Sequence, residues 1–431
     1  MNESKSTVTE LEVKASAEAS KSRNMSAFFA IAYVSQGLSC AQFGVISQPL
    51  QFFMMAGLKL SAADVAANMA ILMLPWVWKP AIGIITDFLP IAGYRRKSYL
   101  LIGFTFSAIA YALILMSAKL QIIMSGIFVA AICMSMSTAL MVGMAVELGR
   151  ADGRTRQYFR IQEIFYYAAN IAASIISGAL CQSFGPNGAF SYAVGFATIP
   201  MIVMIVMTTL QVKEEKSPLQ VYALSNTLAS FKQAFKSPFL WMAAAFSLFW
   251  NFMPAFGVPL YFYESKQLLF SQASIGQLAA WNSFGMLIAA LLHKRLMDRL
   301  SAKMQLIVTT LILSVTTLAY LALSTPETAI VLEIFRGMAN MLGILGVYCF
   351  AAEYCPKRIE VTVMALLVGL RNVATNTALF TGGQLFTNVF PNNFSALVII
   401  SALAPLLALP MILLQAKADK NASTIDNSVE A

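Results

Sequence analysis

Charge is what this chain has least of. Asp, Glu, Lys and Arg make up 11% of its 431 residues, against 58% hydrophobic ones, where a soluble domain carries roughly 25% charge. So little polar surface excludes a water-soluble globule. There is one histidine, His293, and it stands among basic residues. No His/Asp pair, metal-ligand cluster or glycine-rich phosphate loop is present, so neither catalysis, a metal nor a cofactor is expected. Five cysteines, Cys40, Cys133, Cys181, Cys349 and Cys355, lack metal spacing and fall in or beside apolar segments. They read as small packing residues rather than disulfide partners. The net charge of +9 is not gathered into a basic, aromatic-interleaved surface, so nucleic acid is not an expected partner. The N-terminus has no apolar core and is not a signal peptide. Residues 1–24 and 417–431 read as disordered cytoplasmic tails.

What the chain does have is apolar runs long enough to span a bilayer, which takes about 20 residues. They fall near 26–55, 64–86, 98–118, 121–148, 157–182 and 189–211, then 239–263, 272–293, 304–324, 328–351, 359–386 and 393–415. This is an all-α membrane protein of twelve transmembrane helices in two pseudo-symmetric six-helix bundles, over 25–212 and 238–416. A cytoplasmic central loop, 213–237, joins them. Lys and Arg collect in alternate breaks: the N-tail, residues 95–97, 150–160, the central loop, 294–303, 357–358 and the C-tail. Only Lys59, Lys119 and Lys266 fall in the opposite breaks, and Lys79, Arg336 and Arg371 lie inside runs. That bias puts both termini in the cytoplasm. The short loops suit a cell inner membrane or a plasma membrane, and the lipid bilayer is the one expected macroscopic partner of what is read as a monomer.

A charge at the bilayer centre costs on the order of 2.5–3.5 kcal/mol, so each one needs a reason. Arg371 lies halfway along the eleventh run. Asn372 and Asn376 share a neighbouring face, being four residues apart. The guanidinium suits the carboxylate of a small-molecule substrate, with a structural ion pair as the alternative. In the tenth run Glu333 and Arg336 are helix-surface neighbours; they neutralise each other, or Glu333 exchanges a proton whose affinity Arg336 sets. In the fifth run Glu163, Tyr167 and Asn170 form a polar stripe. Glu163 is a candidate proton-coupling carboxylate, or else a partner for Arg156 or Arg160. Gln36, Trp250, Asn251, Trp281 and Asn282 supply amides and aromatic faces suited to a flat heterocycle, although packing is the expected role of most of them.

A second set lies at the cytoplasmic ends. Glu147 and Glu353, with Arg156 and Arg358, are candidate cross-half ion pairs of an inner gate, with Asp87 at the start of the eleventh helix. The tract between the second and third runs, LPWVWKPAIGIITDFLPIAGYRRKSYL, contains Gly83-x-x-x-Asp87 and Gly93-x-Arg95-Arg96-Lys97. This resembles the corresponding loop of the major facilitator superfamily. The neighbouring Pro75-Trp76, Lys79-Pro80 and Pro90-Ile-x-Gly-Tyr are similar to the folate–biopterin transporter family in particular, as are Tyr263-Glu264, Phe270-Ser271, His293-Lys294-Arg295 and Arg336-Gly337. The resemblance implies a secondary active transporter that moves a folate- or pterin-like organic anion by alternating access, coupled to protons or another ion. The fourth run departs from the family, carrying no carboxylate before Glu147, and Tyr166-Tyr167 stands where a glycine-rich face is expected. A permease for muropeptides, siderophore conjugates or small peptides, or a drug exporter, stays open on the same fold.

Overall fold

The computed structural model describes residues 24–117, 119–214, 216, 232, 235–236, 238–297, 299–354 and 360–411. Apart from one isolated bridge, Ile91–Tyr94, the described residues form helices and turns only. The N-terminal half comprises α1 (24–39), α2 (Ser47–Phe52), α3 (Ala62–Val77), α4 (Lys79–Phe88), α5 (Lys97–Leu115), α6 (Leu120–Asp152) and α7 (Thr155–Gln211). The C-terminal half comprises α8 (Pro238–Asn251), α9 (Val258–Phe262), α10 (Gln272–Met297), α11 (Ala302–Leu318), α12 (Pro326–Tyr354), α13 (Glu360–Gln384) and α14 (Phe394–Leu406). Eight of the described helices are long and apolar enough to cross a membrane. One of them, α7, is two passes joined at Gly185, whose φ of 65° and ψ of −179° break the helix. Together with α1–α2, α8–α9 and α13 the arrangement is consistent with twelve passes.

The two halves repeat each other in detail. Their first helices are both interrupted, between α1 and α2 and between α8 and α9, and both breaks are tied to the last pass of their own half. Ser39 Oγ donates to the Ala197 carbonyl at 2.7 Å, while Ser401 Oγ accepts from the Ala255 N–H at 2.9 Å. Both helices then finish in a π turn, Phe53–Gly57 and Tyr263–Gln267. In each turn the residue five on bonds back to the first, and the chain leaves through a left-handed residue, Lys59 or Leu269, both at φ 55°. A third turn of this design, Leu385–Val389, follows α13 and leaves through Asn392. Serine then caps the next helix: Ser61 with Asp64 in a reciprocal capping box, and Ser271 accepting from the Ser274 N–H.

The molecule thus has a π-turn end and an opposite, basic end. At the basic end residues 91–94 make a tight turn through Ala92 and Gly93, both at positive φ. The N-terminus of α5 that follows is closed by Glu214, which lies just beyond α7. Its carboxylate accepts from the N–H groups of Arg95, Arg96 and Lys97 at 2.8–3.1 Å. Three amides converging on one anion at a helix start is a favourable charge-assisted arrangement.

The halves meet through α7 on α10 and α3 on α13. One close approach is Gly178 on Gly276, where a Cβ built on Gly178 would stand 2.9 Å from the Gly276 Cα, so any larger residue forces the helices apart. Around it Gln48 Nε2 donates to the Gln272 carbonyl at 2.8 Å, and the Ala63 N–H donates to Thr387 Oγ1 at 3.0 Å. A continuous buried apolar cluster crosses from one half to the other here, including Leu50, Met54, Tyr261, Phe270 and Ile275. The π-turn end is therefore sealed.

Candidate functional site

The site grows out of a flaw in one span. Pro80 has no N–H, so the Trp76 carbonyl four residues back loses its helical partner, and the chain kinks at Trp78 between α3 and α4. The carbonyls exposed along this stretch are taken up by side chains from three other helices or linkers. Gln42 Nε2 donates to the Leu72 carbonyl at 2.6 Å, Ser135 Oγ to that of Pro75 at 3.0 Å, and Asn372 Nδ2, from the other half, to that of Trp76 at 2.8 Å. Broken helices need such replacement partners in a medium without water. The kink ends in Lys79, whose ammonium lies 5.5 Å from the Trp76 ring centre.

Lys79 shares its surroundings with Glu163 of α7 and Arg371 of α13. The three lie within electrostatic reach of one another, with the phenols of Tyr33, Tyr166 and Tyr167 around Glu163. Lys79 and Arg371 are partly buried, and Glu163 is exposed. Glu163 is thus exposed at a place that a cation of the opposite half also reaches. Among the described residues no ion pair joins any of the three to an opposite charge, including Arg160. Three unpaired charges, two positive and one negative, thus converge from both halves. Nearby polar atoms are also unspent: Gln36 Oε1, Asn170 Oδ1 and Asn376 Oδ1 are buried with no hydrogen-bond partner among the described residues.

Other residues expected at a binding surface are engaged elsewhere. Trp250 is buried in the C-terminal core, its ring against Gly343. Asn251 Nδ2 turns back to the Ser247 carbonyl of its own helix. Asn282 Nδ2 donates to the Glu333 carbonyl at 3.1 Å and ties α10 to α12. Asn372 is spent on Trp76 as described, Trp281 stands edge-on to Phe284, and Tyr167 packs with Ala289, Met341 and Leu342. Direction explains the amides, which satisfy themselves on whatever backbone they face, whereas the buried Trp250 Nε1–H has no partner among the described residues.

Glu333 and Arg336 form an ion pair at 2.5 Å, joined by Tyr320. Tyr320 Oη donates to Glu333 Oε1 at 2.6 Å and accepts from Arg336 Nε at 3.0 Å. At the basic end Glu147 accepts from Arg96 Nη2 at 2.7 Å, so its described partner is in its own half. Arg95 contributes its backbone to the Glu214 clamp. The side chains of Asp87, Arg156, Glu353 and Arg358 lie outside the described residues, and with them the cross-half pairs expected there.

Lys79, Tyr320, Glu214 and Glu264 were not singled out as site residues by sequence. Lys79 carried a usable signal, a charge inside an apolar run beside a proline. Tyr320 carried none.

A family model described as the BT1 family matches residues 40–430. Among curated relatives, "Folate-biopterin transporter" of Synechocystis sp. is 24% identical over 390 residues, 86% of this chain and 78% of that protein. "Probable folate-biopterin transporter 2" of Arabidopsis thaliana is 23% identical over 88% of this chain and 80% of its own. "Folate transporter 2" of Plasmodium falciparum is 21% identical over 70% and 68%. Among solved structures, a D-xylose-proton symporter superposes with a TM-score of 0.70 at 13% identity, covering 90% of this chain and 96% of that one. The POT family transporter PepTSo gives 0.69 at 12%, covering 92% and 98%.

Proposed function

Because this chain belongs to the BT1 family, and is a membrane transporter of the major facilitator type rather than an enzyme, we propose that it carries a folate- or pterin-like organic anion by alternating access. The observation that carries this reading is the convergence of Lys79 and Arg371, from opposite halves, on one site where two cations face the single carboxylate of Glu163 and neither is held in an ion pair among the described residues. A carboxylate of the substrate completes that set of charges. The guanidinium offers a forked pair of donors and the ammonium a point charge, while Tyr33, Tyr166 and the orphan amides of Gln36 and Asn170 suit the edges of a flat heterocycle. Glu163 is the competing anion. It neutralises one cation when the site is empty, and a proton on it frees that cation for the substrate, which links transport to a proton gradient.

The basic end faces the cytoplasm on the charge bias, so the sealed π-turn end faces outward. Arg96–Glu147 and the Glu214 clamp hold the inner ends of α5, α6 and α7 together as one unit while the halves rock. Uptake of radiolabelled folate, a pterin and a peptide conjugate into proteoliposomes under an imposed pH gradient tests the reading. Saturable folate or pterin uptake, competed by the other and lost in Arg371→Ala, is expected. Uptake of the peptide conjugate alone, or of none, overturns it.

A further inference from the structure

A second charged cluster lies away from the Lys79–Glu163–Arg371 site, behind the seal of the π-turn end. Glu264 sits in the π turn that ends α9 and is 4% exposed; Glu333 of α12 is 2% exposed. Both are within electrostatic reach of one cation, Arg336. That guanidinium is committed: it pairs with Glu333, donates its Nε–H to Tyr320 Oη, and lies 4.6 Å from the centre of the Phe256 ring. Glu333 therefore has two donors, Arg336 and Tyr320. The carboxyl of Glu264 accepts no hydrogen bond among the described residues.

The charge count does not close. Two carboxylates face one guanidinium, and among the described residues no other cation is placed to help. From α9 the neighbour is the Tyr261 phenol; within the π turn, Tyr263 donates to the Leu323 carbonyl and the Lys266 ammonium lies over the Phe262 ring. From the end of α11 it is Tyr320, and from α10 the uncharged Gln272, which accepts from Tyr261 at 2.9 Å. A buried carboxylate with neither a cation nor a donor of its own takes up a proton rather than stay ionised. Glu333 already has a cation and a second donor and Glu264 has neither, so the proton belongs on Glu264.

The position of the cluster gives that proton a use. Tyr261 and Gln272 join the cross-half contact Gln48–Gln272, and Tyr261 and Phe270, flanking Glu264, belong to the apolar cluster that spans both halves. We propose that Glu264 is a proton-binding site whose protonation permits closure of the π-turn end. Ionised, the carboxylate keeps that end open to water. Protonated, it is buried with the seal. Binding and closure are then linked reciprocally, so that closure raises proton affinity and protons favour closure. The reading rests on the chain being an alternating-access carrier, but needs no substrate.

The test is a pulsed electron–electron resonance measurement between spin labels at Leu58→Cys and Leu269→Cys, exposed positions in the π-turn loops of opposite halves, with the five native cysteines replaced. The full-length protein in nanodiscs is titrated from about pH 5 to about pH 9, a window that covers raised carboxyl pKa values. The short-distance population is expected to dominate at low pH and give way to a long one as pH rises. Glu264→Gln is expected to hold the short distance at every pH, and Glu264→Asp to keep the titration with a shifted midpoint. A wild-type distribution that does not change with pH, or a Glu264→Gln protein that titrates like wild type, overturns the proposal. If Glu264→Gln does not fold, wild type with Glu264→Asp decides: an unshifted midpoint overturns it. A failed folate uptake assay leaves this result untouched, and an invariant distance leaves the anion reading untouched.

Discussion

Arg371 and Lys79 do different work at one site, and their variants separate. Arg371→Ala removes a charge-assisted forked contact, worth about 1.5–3 kcal/mol, and is expected to weaken binding of an anionic folate about 10- to 100-fold. Calorimetric titration of the purified protein checks this. Its thermal unfolding should be unchanged, because the guanidinium has no ion-pair partner among the described residues to lose. Glu163→Gln is expected to tighten anion binding, since the competing carboxylate is gone, while abolishing accumulation driven by a pH gradient and sparing counterflow exchange. Gradient-driven accumulation at the wild-type level in that variant removes Glu163 from the coupling step. Arg371 and Glu163 were legible in the sequence because a charge inside an apolar run needs a reason. Trp250 and Asn282 gave only an unspecific signal, and one packs in the C-terminal core while the other ties α10 to α12, because composition says which side chains a span contains and not where they point. Glu264 and Tyr320 show the converse: their meaning comes only from α9, α11 and α12 being brought side by side.

At the scale of an element, the α3–α4 kink is a proline defect repaired across the two halves. Asn372→Ala leaves the Trp76 carbonyl bare and is expected to cost about 1–3 kcal/mol, read as a lower unfolding temperature in detergent. Pro80→Ala supplies the missing N–H, straightens the span and withdraws Lys79 from the site. The double variant should lose less stability than the sum of the singles, since restoring the helical bond makes Asn372 redundant; strict additivity would show that the two do not share that carbonyl. The tract around this kink was the most readable stretch of the chain, with its prolines, Gly83, Asp87 and the Arg95–Lys97 run. Its clamp was not readable. Glu214 lies more than a hundred residues away in a segment that reads as an ordinary polar connection, and nothing local shows that three amides point at it.

For the whole molecule, the twelve apolar runs and their division into halves followed from run length and the placement of Lys and Arg. The three matching π turns did not, because they are set by φ at single residues such as Lys59 and Leu269 rather than by any marked composition. The crossing of α7 on α10 at Gly178 and Gly276 is one of the close cross-half contacts at the π-turn end. Gly178→Val places methyl groups where the Gly276 backbone stands and is expected to shift the Leu58–Leu269 label pair to the long distance at all pH values, with transport lost. A short-distance population like that of wild type would mean the helices relieve the clash without parting.

That glycine crossing also fixes the leverage in the machine. From Gly178 to Thr155, where α7 begins, the helix runs about 35 Å at 1.5 Å per residue. A tilt of about 10° around the crossing barely disturbs its immediate neighbours, yet sweeps the far tip through about 6 Å, roughly the breadth of a fused aromatic ring system. The large sweep at the basic end and the small one at the fulcrum are therefore the same motion seen at two distances, and a molecule wedged beside the fulcrum would jam the stroke more effectively than one lodged at the far tip.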